Sequence, residues 1–324
     1  MTRRRRKLAE SRPPPEDPIS NLPDAILGEI ISLLPTKDGA RTQILAFRWR
    51  HLWRSAPLNV DTRDLAARGV DVAPLVSRIL SSHPGPGRRF CFYRHHYSRS
   101  ATVDAWLRSP ALDNLQELQY YFFDQPPASV FRFVSTLRAL TIRNCSLPDD
   151  IPDDIVGGLH FPLLEKLGLD YVTISECSLQ RMIDGCPALE SLLINNCLGF
   201  RRLRISSLTV RSIGVYRVVF PGSNQALLQE LIIDNAPRLQ KLVVHDVATG
   251  LNVSVISAPK LETIGFLSDG YSYYGRDPDH LYRLVFGPMV IQVRHLNHIS
   301  SFLHMSDMPC ECRHSCFDKG TARR

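Results

Sequence analysis

The sequence predicts an α/β protein: a small unit of three short helices, then a solenoid of about eight strand-bearing turns, more β-rich toward the C-terminus. Three observations predict it. Apolar residues recur at helical spacing from Leu22 to Leu34 and stop at Pro35. A unit Pro-x-Leu-Glu/Gln-x-Leu/Ile-x-apolar returns as PLLEKLGL (Pro162–Leu169), PALESLLI (Pro187–Ile194), PRLQKLVV (Pro237–Val244) and PKLETIGF (Pro259–Phe266). In the later copies a second strand-like segment, LQELII (Leu228–Ile233) or LNVSVI (Leu251–Ile256), stands about half a period ahead of the anchored one.

The chain has 324 residues, 44% of them apolar and 22% charged, which favours a folded protein with a large core. Its net charge is +7, but residues 1–12 hold Arg3, Arg4, Arg5, Arg6, Lys7 and Arg12 against Glu10 alone, so five of those charges sit in the tail. A folded reader of DNA or RNA needs its charge on a face of the body, so no nucleic-acid partner is expected. The tail fits a solvated extension or a nuclear-import patch, and the triple proline of SRPPPEDP marks a linker. Residues 1–17 are therefore expected to be a disordered tail. No apolar run reaches the ~18 residues a membrane helix needs, and no signal peptide is recognisable. The expected location is the nucleus, the cytoplasm or both, with the eight cysteines reduced and no membrane partner.

Helix one is expected to carry Leu22, Ile26, Leu27, Ile30, Leu33 and Leu34, with Pro23 in its first turn. Thr36 can cap a second helix over Lys37–Gln43, and Phe47–Ser55 reads as a third, placing Trp49 and Trp53 on one face. Three such helices are too small to bury their own apolar residues, because units below ~40 residues need outside support. Leu22-Pro23, Ile26-Leu27, Ile30, Leu34-Pro35, Leu45 and RWRHLW (Arg48–Trp53) together resemble the plant F-box motif, over about residues 17–60. The resemblance implies an F-box at 18–60 that docks on a Skp-family adaptor, and through it on a cullin and a ubiquitin-conjugating enzyme. The implied adaptor contacts are Leu22, Pro23, Ile26, Leu27, Ile30, Leu34, Pro35, Leu45, Trp49 and Trp53. Ala46-Phe47 depart from the Ser-Arg usual in the motif, and altered packing is expected there.

Residues 61–110, with a helix near Val72–Leu80 and the turn SSHPGPGRR, read as a linker and cap of the solenoid. The repeats are placed at 111–292. Their first apolar anchors, at 115, 137, 164, 189, 210, 239, 261 and 281, lie about 24 residues apart, a spacing that resembles leucine-rich repeats. The early repeats leave room for return helices at AWLRSPAL, SVFRFV and SLQRMIDGCP. Residues 293–324 are expected to be a diverged tail.

Chemistry is scarce in this sequence. Cys310, Cys312, His314 and Cys316 alternate more tightly than zinc ligands usually do, and neither His95-His96 nor the scattered cysteines make a nucleophile pair. Cys145 and Cys197 fall at the closing position of their repeats and are read as core. No metal, cofactor or catalytic residue is expected. The outward strand positions are mixed in charge and include tyrosines, which suits a protein target, with Tyr121, Arg143, Arg204 and Tyr216 the expected contacts. The family resemblance thus implies a non-catalytic subunit that selects a target protein for ubiquitination. Two alternatives stay open: a hormone-type receptor on the same scaffold, which implies a closed ring with a basic well, and an adaptor binder without ligase output.

Overall fold

The computed structural model describes residues 18–65, 71–93, 100–121, 125–147, 160–217, 226–246, 251–266, 281–286 and 289–294. The N-terminal tail, His95-His96 and the Cys/His cluster near the C-terminus lie outside them.

Three helices open the fold: α1 (Asp24–Leu33), α2 (Thr36–Arg41) and α3 (Phe47–Ser55). They enclose a core of only Leu27, Ile31, Leu52 and Ala56, against which Leu22, Trp49 and Trp53 pack. Four side chains cannot stabilise a domain, and the unit is instead fused to the strands C-terminal to it. Thr36 does not cap α2, since Pro35 takes the cap position. Its hydroxyl donates to the carbonyl of Asn59 (2.6 Å) and accepts from the N–H of Asp61 (3.2 Å), both on β1 (Leu58–Asp61). The Asn59 amide in turn donates to the carbonyl of Ser32.

Beyond the short α4 (Thr62–Leu65) comes α5 (Ala73–Ser82), and then β2 (Gly87–Phe92), α6 (Ser100–Leu107), β3 (Glu117–Tyr121) and β4 (Ala139–Arg143). They are followed by β5 (Lys166–Asp170), α7 (Glu176–Asp184), β6 (Ser191–Asn195), β7 (Arg202–Ser206) and β8 (Ser212–Arg217). The last strands are β9 (Glu230–Asn235), β10 (Lys241–Asp246), β11 (Asn252–Val255), β12 (Thr263–Phe266), β13 (Leu281–Phe286) and β14 (Met289–Arg294). Nine parallel strands form one sheet in the order β1-β2-β3-β4-β5-β6-β8-β10-β12. A second sheet, β14-β13-β11-β9-β7, is parallel except for the antiparallel pair β13–β14.

The α/β solenoid with a β-rich C-terminal half is thus the fold observed, with three differences. The first sheet begins within the bounds expected for the helical unit, because β1 pairs with β2, across a register shift between Leu58 and Asn59, and β2 pairs with β3. β1 and β2 are therefore the opening strands of the first sheet, and the stretch expected as linker and cap carries the second of them. Second, the copy at Leu281 lies in the second sheet: Leu281 is itself the first strand residue, whereas the anchored copies put a leucine, buried at Leu164, Leu189 and Leu239 and partly buried at Leu261, two places before the strand. Third, β14 runs to Arg294, two residues beyond the expected end of the repeats. Return helices occur where the sequence leaves room for them, as α6, a 3-10 turn over Ala128–Phe133, and α7. The core lies between these and the first sheet, with Trp106 of α6 edge-on to Phe90 and Phe92 at 6.4 and 5.7 Å. In the second half it lies between the sheets, where Leu203, Ile205, Leu231, Ile233, Val253 and Val255 are buried.

Candidate functional site

The helical unit has two faces of opposite character. One is joined to the solenoid: Trp53 packs edge-on to His83 at 5.1 Å, and its ring fills the space where any side chain at Gly39 would stand, 2.6 Å from a built Cβ. Much of the remaining surface is apolar and bare. Of the eleven exposed large apolar side chains among the described residues, seven belong to this unit: Ile19, Ile26, Ile30, Leu33, Ile44, Leu45 and Phe47. Leu33, Ile44 and Phe47 are 77%, 82% and 72% exposed, which isolated helices in water do not favour at this density.

The expected adaptor contacts divide accordingly. Pro23, Ile26, Ile30, Pro35 and Leu45 are exposed, while Leu22, Leu34 and Trp49 are half-buried. Leu27 is fully buried and holds α1 against α3, so it is not a surface contact; helical spacing puts it with Ile31, a quarter-turn away from Ile26 and Ile30. Trp53 is likewise an internal anchor, shared between the two cores. Ile19, Leu33, Ile44 and Phe47 are exposed as well but were not among the expected contacts, although Leu33 stands in the same helical pattern as Ile26 and Ile30. Arg48 fixes the relative pose of α1 and α3, donating to Asp24 Oδ1 and to the carbonyl of Leu22, each at 2.6 Å. Ala46 occupies the cap of α3 in extended conformation and supplies no side-chain acceptor.

The outward face of the first sheet is the second surface. Its strand ends align in register as Tyr121, Arg143, Asp170, Asn195 and Tyr216. Tyr93, just after β2, stacks on Tyr121 (6.3 Å, 22°), carries the Arg63 guanidinium over its ring at 4.2 Å, and donates its hydroxyl to Gln119 at 3.1 Å. Arg143 pairs with Asp170 at 3.2 Å, and the Asn195 amide donates to the same carboxylate at 2.7 Å. Burial raises the Asp170 pKa, and the charge of Arg143 with the Asn195 bond works against that rise. A lower row, Thr141, Gly168, Leu193, Gly214 and Val243, runs beside this rim. With no side chain at Gly168 or Gly214 it is shallow and largely apolar. Three of the four expected target contacts share this face. Arg204 does not: it lies on β7 of the second sheet, paired with Asp234 at 3.0 Å.

The thiols of Cys145, Cys186 and Cys197 sit in the core, where burial pushes each up to about 12, and Cys91 is raised to about 11. They stay protonated at neutral pH and are poor nucleophiles.

An F-box domain model matches residues 19–61, and the family model described as FBD-associated F-box protein At5g56370, LRR repeats, matches residues 103–297. Relatives in Arabidopsis thaliana include putative F-box/LRR-repeat protein At3g18150, 30% identical over 65% of this chain and 44% of that protein. Putative F-box/FBD/LRR-repeat protein At4g00315 is 30% identical over 71% and 53%, and F-box/LRR-repeat protein At3g26922 is 26% identical over 76% and 80%. The chain spans about half the length of the first two. With an F-box motif on its helical unit and the repeat model covering its strands from β3 onward, the chain belongs to the F-box proteins with leucine-rich repeats.

Proposed function

We propose that this protein is the target-recognition subunit of a cullin-RING ubiquitin ligase, working in the nucleus, the cytoplasm or both. Its helical unit holds a Skp-family adaptor through Ile26, Ile30, Leu33, Leu45 and Phe47, flanked by Pro23 and Pro35. The observation that carries this is the concentration of bare apolar side chains on a unit that is also fused to the repeats through Trp53. Such a face is costly in water unless a partner covers it. The fusion sets the distance and angle at which the target is presented, so the adaptor and the target are held by one framework.

The strand face holds the target, with Tyr121, Arg143 and Tyr216 as contacts. A rim of tyrosine, arginine, aspartate and asparagine beside an apolar row suits a protein segment, since aromatic and arginine side chains supply most hot-spot energy. Half-burial of Arg143 against Asp170 gives it a structural share as well. The test is affinity purification under proteasome inhibition, comparing the parent chain with a Tyr121→Ala/Tyr216→Ala variant. The expected outcome is loss of the specific interactors with adaptor binding retained. Retention of every interactor would move the target to another surface.

A further inference from the structure

We propose that the groove between the helical unit and α5 is a docking site for a short acidic segment of a partner protein, one that carries a large apolar side chain beside its carboxylates. The groove has a volume of about 560 Å³, in the range of ligand sites. Ile44, Trp53 and Ile79 give it an apolar lining, and Lys37, Arg54 and Arg78 stand around it. No carboxylate lines it among the described residues.

The state of those three cations is the decisive observation. Twelve arginines among the described residues form ion pairs, including Arg41 at the edge of this groove, which meets Asp38 at 3.1 Å. Arg54, Arg78 and Lys37 are left out of that pattern, with no side-chain partner among the described residues although they share one concavity. Unpaired cations of one sign around a low-dielectric wall concentrate their field on whatever enters. An inorganic anion would answer the charge but leave the apolar lining bare. A segment with carboxylates flanking a leucine or phenylalanine answers both. The opening is continuous with the exposed apolar face, since Ile44 belongs to each. Arg54 of α3 and Arg78 of α5 are not among the adaptor-facing residues, so the site can be tested separately from Leu33 and Leu45. It is also not a basic well over the strand face.

The test selects peptides from a displayed library of random short sequences on the full chain, and measures the enriched peptides by fluorescence anisotropy. The expected pool is net negative with at least one large apolar residue. Its affinity should fall about tenfold or more in Arg54→Glu/Arg78→Glu and less in Arg54→Gln/Arg78→Gln, and should weaken with added salt. Both residues are exposed, so melting temperature and adaptor binding should be unchanged in either variant. A pool no more acidic than the input overturns the proposal, as does equal binding to the Glu variant. Displacement of the peptide by inorganic phosphate at similar concentration shows a site for any anion and overturns it too. Loss of adaptor binding in the Glu variant reassigns the cations to the adaptor contact. Self-association abolished by the same variant reassigns them to a second copy of the chain.

Discussion

Ala46 and Tyr171 are single positions where the chain departs from what its own backbone favours. Ala46 caps α3 in extended conformation, where the Trp49 N–H already donates to its carbonyl (3.1 Å), and a serine there can accept from the N–H of Arg48. Ala46→Ser is therefore expected to stabilise the protein by about 1 kcal/mol in a denaturant titration, an increment that Ala46→Val should not give. Tyr171 holds φ at 52°, in the left-handed region, where the equivalent residues after β4 and β6 are Asn144 and Asn196, at 57° and 46°. Asparagine tolerates this conformation and a bulky aromatic does not, so Tyr171→Asn should raise the unfolding free energy by up to about 1 kcal/mol. An unchanged or lowered value would show that the half-exposed ring makes contacts worth more than the strain. For single residues the sequence revealed which are apolar but not which way they point. Ile26 and Leu27 are adjacent and chemically alike, and only packing against α3 separates the surface contact from the core one.

Between elements, the joint of the helical unit with the solenoid turns on His83. Its Nδ1 accepts from the N–H of Gly85 (3.1 Å), which leaves the proton on Nε2 to be donated to the Trp53 carbonyl (2.8 Å). Burial lowers its pKa from 6.5, with the bonds to Trp53 and Gly85 opposing. The folded state therefore favours the neutral ring. That contribution is complete above the unfolded value and is lost as pH falls through the lower folded one. Stability should drop as pH falls below the ordinary histidine value of 6.5, and His83→Gln should flatten the drop. Strand alternation gives a sharper contrast at β8. Val215 is buried and Tyr216 is not, so Val215→Asp should prevent folding while Tyr216→Ala should leave the melting temperature within a few degrees. The proline-anchored repeats were legible because proline, leucine and a two-residue offset together fix where a strand begins. The joins were not. β1 and β2 lack the anchor, the role of Thr36 depends on a residue 23 positions away, and β13 could not be assigned to a sheet without knowing its neighbours.

The molecule as a whole is built asymmetrically. One continuous core runs from Leu58 through Val255, and the four-residue core of the helices hangs on its end through Trp53. The motif was legible in the sequence, and so was the presence of surplus apolar surface. What the sequence could not divide was that surface between the part the chain's own solenoid takes, Trp53, and the part left exposed, Leu33, Ile44, Leu45 and Phe47. That division can be measured without disturbing the fold. Titration calorimetry of the purified chain with a purified Skp-family adaptor should give saturable binding that Leu33→Asp/Leu45→Asp weakens by about a hundredfold or more, since two apolar contacts of ~2 kcal/mol each are lost, with the melting temperature unchanged. Equal affinity of parent and variant would contradict adaptor docking through this face.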